Sequence, residues 1–114
     1  MTTADALDRI AADPWTSELY RALLALLDGF ATYEIERKKT SLHIVHGRAF
    51  LGVHPRKDAL LLNIVTEVAL SGSRLRKSER ISSNRYHNEV LLHSPMDLDT
   101  EMSDWLRNAY ALVA

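Results

Sequence analysis

Residues 40–65, TSLHIVHGRAFLGVHPRKDALLLNIV, decide the fold of this chain. Apolar and polar side chains alternate in three short runs, 40–45, 49–54 and 60–65, and a period of two is typical of β-strands. Turn sequences at 47–48 and 55–58, which contain Gly47 and Pro55, separate the runs. Strands joined by such short connections pair antiparallel, so the stretch predicts a β-meander.

Helical patterns flank this meander on both sides. A short N-terminal helix is predicted over residues 1–12, with Thr2 as its N-cap. Asp13 and Pro14 then begin a second helix, because Asp is a favoured N-cap and Pro a favoured first residue, and this helix is expected to end at Gly29. Ser94 followed by Pro95 predicts the start of a long C-terminal helix that runs almost to residue 114.

The remaining segments complete an α+β domain. Residues 34–39 are expected to precede or extend the first strand, and residues 86–93 to form a fourth strand. Residues 66–85 are polar and predict a long loop with one helical turn near 73–77. The sequence therefore predicts one domain over 1–114, with N-terminal helices, an antiparallel meander of four to five strands, and a long C-terminal helix packed on one sheet face.

Composition excludes several classes of protein. A chain of 114 residues is the size of one domain, and the absence of cysteine excludes disulfides, thiol nucleophiles and cysteine-ligated zinc. No apolar run approaches the roughly 20 residues of a membrane span. The first residues lack the basic and apolar pattern of a secretory signal, so a cytoplasmic location is expected. Residues 37–93 hold eleven bases and four acids, whereas the flanking segments are acidic.

The predicted sheet has one apolar and one mixed face, because alternate side chains of a strand point to opposite sides. The apolar face should pack under the helices and consists of Leu42, Ile44, Leu51, Val53, Leu60, Leu62, Ile64, Val90 and Leu92. The mixed face holds four of the five histidines, and its members are Ser41, His43, Val45, Phe50, Gly52, His54, Leu61, Asn63, His87, Glu89, Leu91 and His93. The mixed face is the surface available for function.

Three interpretations of this mixed face remain open. In the first interpretation, the mixed face is a half-solvated sheet surface without a ligand, as is common in antiparallel sheets. Alternatively it is a homodimer surface, carried by the apolar side chains Val45, Phe50, Leu61 and Leu91. The third interpretation is a metal or acid–base site built from His43, His54, His87 and Glu89. No helical metal-binding motif supports that site, so neither a metal nor a cofactor is predicted.

Residues 74–85 carry a local excess of positive charge. Five bases, Arg74, Arg76, Lys77, Arg80 and Arg85, stand against Glu79 alone. Such a segment could contact the phosphates of a nucleic acid, which makes a nucleic-acid accessory domain one hypothesis. No phosphate-binding loop, helix-turn-helix spacing or aromatic RNA-binding strand accompanies it, so a nucleic-acid partner is not expected. Catalytic signatures such as a nucleophile elbow are also missing, and no catalytic residue is predicted.

The chain resembles DUF5655, an uncharacterised bacterial domain family, over residues 20–113. The positions that carry the resemblance are Lys39, Phe50, Pro55, Arg56, Arg80, His87 and Trp105. Pro55 is explained as a turn residue and Trp105 as a core residue. The resemblance thus leaves Arg56, Arg80 and His87 as the tentative ligand-binding residues, together with Lys39 and Phe50.

The leading hypothesis is a non-enzymatic binding or interaction module, with a homodimer as one form. It would bind an anionic small molecule or an acidic protein partner through a basic sheet edge that contains Arg56, Arg80 and His87. The alternative is a small-ligand enzyme in which His87 acts as acid or base and the two arginines hold a phosphate or carboxylate. That alternative requires the three side chains to converge within about 10 Å.

Overall fold

Two helices form the N-terminal segment. The structure is a computed structural model that describes residues 4–114. Helix α1 spans Ala6–Ala12, and its N-cap is Asp5, which exchanges side-chain and backbone hydrogen bonds with Asp8 in a capping box. The predicted cap at Thr2 lies outside the described residues.

Helix α2 spans Pro14–Asp28 and begins and ends as predicted. The Asp13 carboxylate accepts a hydrogen bond from the backbone N–H of Trp15, and Gly29 is the C-cap. Leucines spaced by four residues form the buried stripe of this helix, at Leu19, Leu23 and Leu27.

The sheet has six antiparallel strands. The sequence pattern indicates four of them most clearly. The bounds of the six strands are Glu34–Arg37 (β1), Leu42–His46 (β2), Arg48–Arg56 (β3), Ala59–Thr66 (β4), Leu75–Ser82 (β5) and Arg85–Leu92 (β6). Their order is β1-β2-β3-β4-β6-β5, so β5 is an edge strand outside β6. Strands β2, β3 and β4 form the predicted meander, and the segment 34–39, expected to precede or extend its first strand, contains the separate strand β1.

The loop predicted over 66–85 is confirmed only at 67–74, and the helical turn predicted near 73–77 is wrong, because β5 begins at Leu75. Seven of the eight residues of β5 are exposed. Only Leu75 of this edge strand packs against the core, so the strand has no apolar alternation to reveal it in the sequence. The prediction of four to five strands fails for the same reason.

The C-terminal helix begins later than Ser94 predicts. Ser94 and Asp97 form a capping box, but the helix that it begins is only a 3-10 turn over Pro95–Asp97. Leu98 then leaves helical geometry, with φ −83° and ψ 60°. Helix α3 spans Thr100–Val113, and its N-cap is Asp99, which accepts a hydrogen bond from the Met102 backbone N–H.

The core lies between one sheet face and the helices. Helix α3 packs on β3 and β4, and α2 packs on β4 beside it. All nine residues predicted for the apolar sheet face are buried. The expected α+β layering is therefore confirmed. Within residues 4–114 no helix is both long and apolar enough to cross a membrane.

An exposed ion pair holds α1 against β1 and should make stability depend on acid pH. The Arg37 guanidinium contacts the carboxylates of Asp5 at 2.8 Å and Asp8 at 3.0 Å. Its hydrogen bond is the main reason that the pKa of Asp5 falls from 3.8 to about 2. Because folding favours the ionised carboxylate, this stabilisation is present above pH 3.8 and is lost as the pH falls to about 2.

We expect Arg37→Gln to reduce the loss of thermal stability between these two pH values. Circular dichroism melts of wild type and variant across this range measure the difference, and Arg21→Gln on the exposed side of α2 is the control. Equal pH dependence in wild type and Arg37→Gln contradicts the prediction.

Candidate functional site

The sheet face turned away from the helices is uncovered; we call it the open face. Register places His43, Gly52, Asn63 and Glu89 in one row across β2, β3, β4 and β6. All four are partly buried rather than fully exposed. The predicted alternation therefore brings imidazole and polar side chains onto the open face.

Phe50 is not on the open face, which corrects its predicted position. Ile44 pairs with Leu51 and Val45 with Ala49, so Phe50 is the extra residue of a β-bulge. Its side chain is 0% exposed, and its ring lies 5.4 Å from that of Tyr110 in an edge-to-face arrangement. Phe50 is a core residue that cannot touch a ligand on the open face.

Because Phe50 is not on the open face, the apolar patch on which the homodimer interpretation depended is smaller than predicted. The apolar residues of the open face are then Val45, Leu61, Val65 and Leu91, and Leu61 is only 7% exposed. The homodimer stays a prediction.

The histidines of the open face do not assemble a metal centre. Within residues 4–114 no three His, Cys, Asp or Glu side chains are grouped to hold a metal ion. His43, His54, His87 and Glu89 are thus neighbours on a face rather than a ligand set. Burial lowers the pKa of His54, the positive charges of Arg56 and His43 lower it further, and Glu89 opposes them. Neutral imidazole is therefore the favoured form of His54.

The predicted trio Arg56, Arg80 and His87 is spread over the molecule. Arg56 pairs with Ala59 and His87 with Val65, and this separation along β4 corresponds to about 20 Å. Arg80 pairs with Tyr86, the neighbour of His87, so alternation directs Arg80 to the other side of the sheet. The convergence that the enzyme hypothesis requires does not occur at these residues.

Lys39 lies far from His87 as well. It is exposed in the turn between β1 and β2, and its backbone carbonyl accepts a hydrogen bond from the Arg9 side chain at 3.2 Å. This turn is at the same end of the sheet as Arg56, whose guanidinium donates to the carbonyl of Pro55. Lys39 and Arg56 therefore share an end of the sheet that His87 does not reach.

His87 instead shares a cavity with two arginines that the sequence analysis did not select. Arg48, Arg85 and His87 line a cavity of about 270 Å³, which we call the anion pocket. The other lining residues are Ala49, Val65, Ile81, Ser82 and Val113. Alternation could have identified one partner, because Arg85 stands two residues before His87 on the same strand. Arg48 lies on β3, and only the strand order β3-β4-β6 brings it close to Arg85 and His87.

The anion pocket has uncompensated positive charge. No acidic residue lines it, and in the described chain neither Arg48 nor Arg85 has an ion-pair partner. Arg85 donates only to the backbone carbonyl of Asn84, at 2.8 Å. The acidic neighbour on β5 is Glu79, and its carboxylate is paired with Lys77 at 3.2 Å. The cavity is therefore lined by two arginines and by no carboxylate.

His87, which lines the same cavity, is within hydrogen-bond distance of Asn63. The Asn63 amide nitrogen lies 3.5 Å from Nδ1 of His87. With this amide donating to Nδ1, the proton of the neutral imidazole is on Nε2. In this tautomer the N–H donor of His87 is on Nε2.

A family model for a domain of unknown function, DUF5655, matches residues 8–113. The chain belongs to the DUF5655 family. The family match confirms the resemblance and begins at residue 8 rather than 20, so it includes α2 and part of α1. No curated protein and no solved structure matches the chain.

Another basic residue of this DUF5655 chain, Arg74, has a structural role. Its guanidinium contacts Asp99 at 2.8 Å and Glu101 at 3.2 Å, donates to the carbonyl of Asp97, and lies 5.6 Å from the centre of the Trp105 ring. These contacts hold the start of α3 against the segment before β5. With Arg74 and Lys77 in ion pairs, Arg76, Arg80 and Arg85 are the bases of residues 74–85 that have no ion-pair partner in the described chain.

Proposed function

We propose that this DUF5655 domain is a non-enzymatic binding module that holds a small organic anion in the anion pocket. The observation that carries the proposal is the convergence of Arg48, Arg85 and His87 on one cavity lined by no carboxylate. Guanidinium groups present paired N–H donors that match the oxygens of a carboxylate or phosphate. The cytoplasmic location and the homodimer remain predictions beside it.

The apolar part of the pocket favours an anion that carries a hydrocarbon chain. Ala49, Val65, Val113 and the half-exposed Ile81 surround the charged groups. Small-molecule sites commonly combine such apolar walls with a few polar groups that fix orientation. Inorganic phosphate should therefore bind more weakly than an alkyl carboxylate or an alkyl phosphate.

Titration with hexanoate and with hexyl phosphate, followed by ¹H–¹⁵N NMR, tests the proposal. We expect saturable shifts at Ala49, Val65 and His87, and a roughly tenfold weaker affinity in Arg85→Gln, because one charge-assisted hydrogen bond is lost. Arg80→Gln is the matched control, since Arg80 lies in the same hairpin but outside the pocket. The comparison of the two ligands distinguishes carboxylate from phosphate.

Two outcomes overturn the proposal. One is an absence of shifts with both ligands. The other is an equal loss of affinity in Arg85→Gln and Arg80→Gln, because that result indicates nonspecific attraction by surface charge rather than a site.

A further inference from the structure

Two hydrogen-bond acceptors beside the anion pocket lack partners. Oδ1 of Asn63 is buried and has no hydrogen-bond partner. In the part of the chain that the structure describes, the Glu89 carboxylate has neither an ion pair nor a hydrogen bond, although the residue is partly buried. A buried acceptor is normally satisfied, so Oδ1 of Asn63 indicates a missing donor, and the solvent-accessible carboxylate of Glu89 adds a negative charge beside it.

The two acceptors are neighbours on the open face. Asn63 of β4 and Glu89 of β6 are register partners, and facing side chains in such pairs have Cβ atoms about 5 Å apart. On the other side of Asn63 stands Gly52, which adds no side chain to the row. A Cβ at Gly52 would lie 3.3 Å from that of Asn63 and 3.7 Å from Nε2 of His54. The glycine therefore lets the side chains of Asn63 and His54 pack closely over its position.

The positive groups around Glu89 do not neutralise it. Lys77, its register partner on β5, is paired with Glu79 instead. His54 is close enough for Glu89 to act on its pKa, but burial and the other nearby bases keep that pKa low. The Glu89 carboxylate is therefore without a cationic partner within residues 4–114.

We propose that the ligand is an ω-amino acid or an ω-amino phosphate, with its ammonium group bound by Asn63 and Glu89 and its anionic group in the anion pocket. Glu89 stands two residues after His87 on β6, and this spacing is about 7 Å. An extended aliphatic chain spans that separation. The inference rests on the proposed function for the anionic group of the ligand, and it adds the ammonium group.

Three ligands of equal chain length test the inference: hexanoate, hexylamine and 6-aminohexanoate. By NMR or calorimetric titration of the wild-type protein, we expect 6-aminohexanoate to bind about tenfold more tightly than hexanoate, since it adds one charge-assisted contact. Shifts at Asn63 and Glu89 should appear with 6-aminohexanoate and not with hexanoate. Glu89→Gln should bring the two affinities together, whereas Glu67→Gln, in the exposed segment after β4, should preserve the difference.

The outcomes separate the two proposals, and the ligand comparison needs no variant. Equal affinity of wild type for hexanoate and 6-aminohexanoate overturns the amine site and leaves the anion pocket standing. A preference for 6-aminohexanoate that persists in folded Glu89→Gln also overturns the amine site. Failure of hexanoate, 6-aminohexanoate and hexyl phosphate to bind, with or without binding of hexylamine, overturns the proposed function.

Discussion

Phe50→Ala is expected to lower the free energy of unfolding by about 3–5 kcal/mol. The Phe50 ring is fully buried between the sheet and α3, where it meets Tyr110 edge to face, and alanine leaves a cavity in its place. Small domains have a total stability of about 5–15 kcal/mol, so the loss is a large part of the whole. The contribution of Phe50 is therefore expected to be structural.

Urea denaturation followed by circular dichroism measures this loss. Phe50→Leu retains most of the apolar volume and should cost less, which provides a measurement if the alanine variant does not fold. Phe30→Ala is a matched control, because Phe30 also contacts Tyr110 but is only partly buried. A stability change below 1 kcal/mol in Phe50→Ala, within the noise of surface substitutions, contradicts the prediction.

Phe50 also shows where reasoning from alternation reaches its limit. Alternation identified the buried face correctly, because a strand under a helix must place its apolar side chains on one side. It failed at Phe50 because a bulge after the tight turn at Gly47, whose φ is +76°, lets Phe50 and Leu51 both be buried. Two adjacent apolar residues in a sequence do not reveal a bulge, because either residue alone fits the two-residue alternation of a β-strand.

The candidate site was predictable only in part, for a related reason. His87 was selected, and the alternation of β6 places Arg85 beside it. Arg48 required knowledge of which strands are neighbours, and the hidden strand β5 made that order impossible to derive. Arg56 and Arg80 were grouped with His87 by their places in a family pattern, and positions in a pattern carry no distance. The register of neighbouring strands, rather than residue type, determines which charged side chains lie close together.

Asn88, a buried polar residue of β6, makes side-chain hydrogen bonds to three neighbouring segments. Its amide nitrogen donates to the carbonyl of Ile64 and to Oγ1 of Thr66, both at 2.8 Å. Its amide oxygen accepts from the Leu70 backbone N–H at 3.1 Å and from Oγ of Ser78 at 2.7 Å. One side chain thus connects β4, the segment after it, and the edge strand β5.

Asn88→Leu should therefore cost about 3 kcal/mol of unfolding free energy, because four hydrogen bonds are lost and each is worth about 1 kcal/mol or less. The loss should be uneven: amides of β5 should exchange with solvent much faster, whereas those of β3 should change only with global stability. Urea denaturation and hydrogen exchange measure the two effects, with Asn84→Leu in the exposed turn between β5 and β6 as the control. If exchange in β5 is unchanged, backbone pairing with β6 alone holds the edge strand. In that case the position of β5 does not depend on Asn88, although the sequence of β5 contains no apolar pattern of its own.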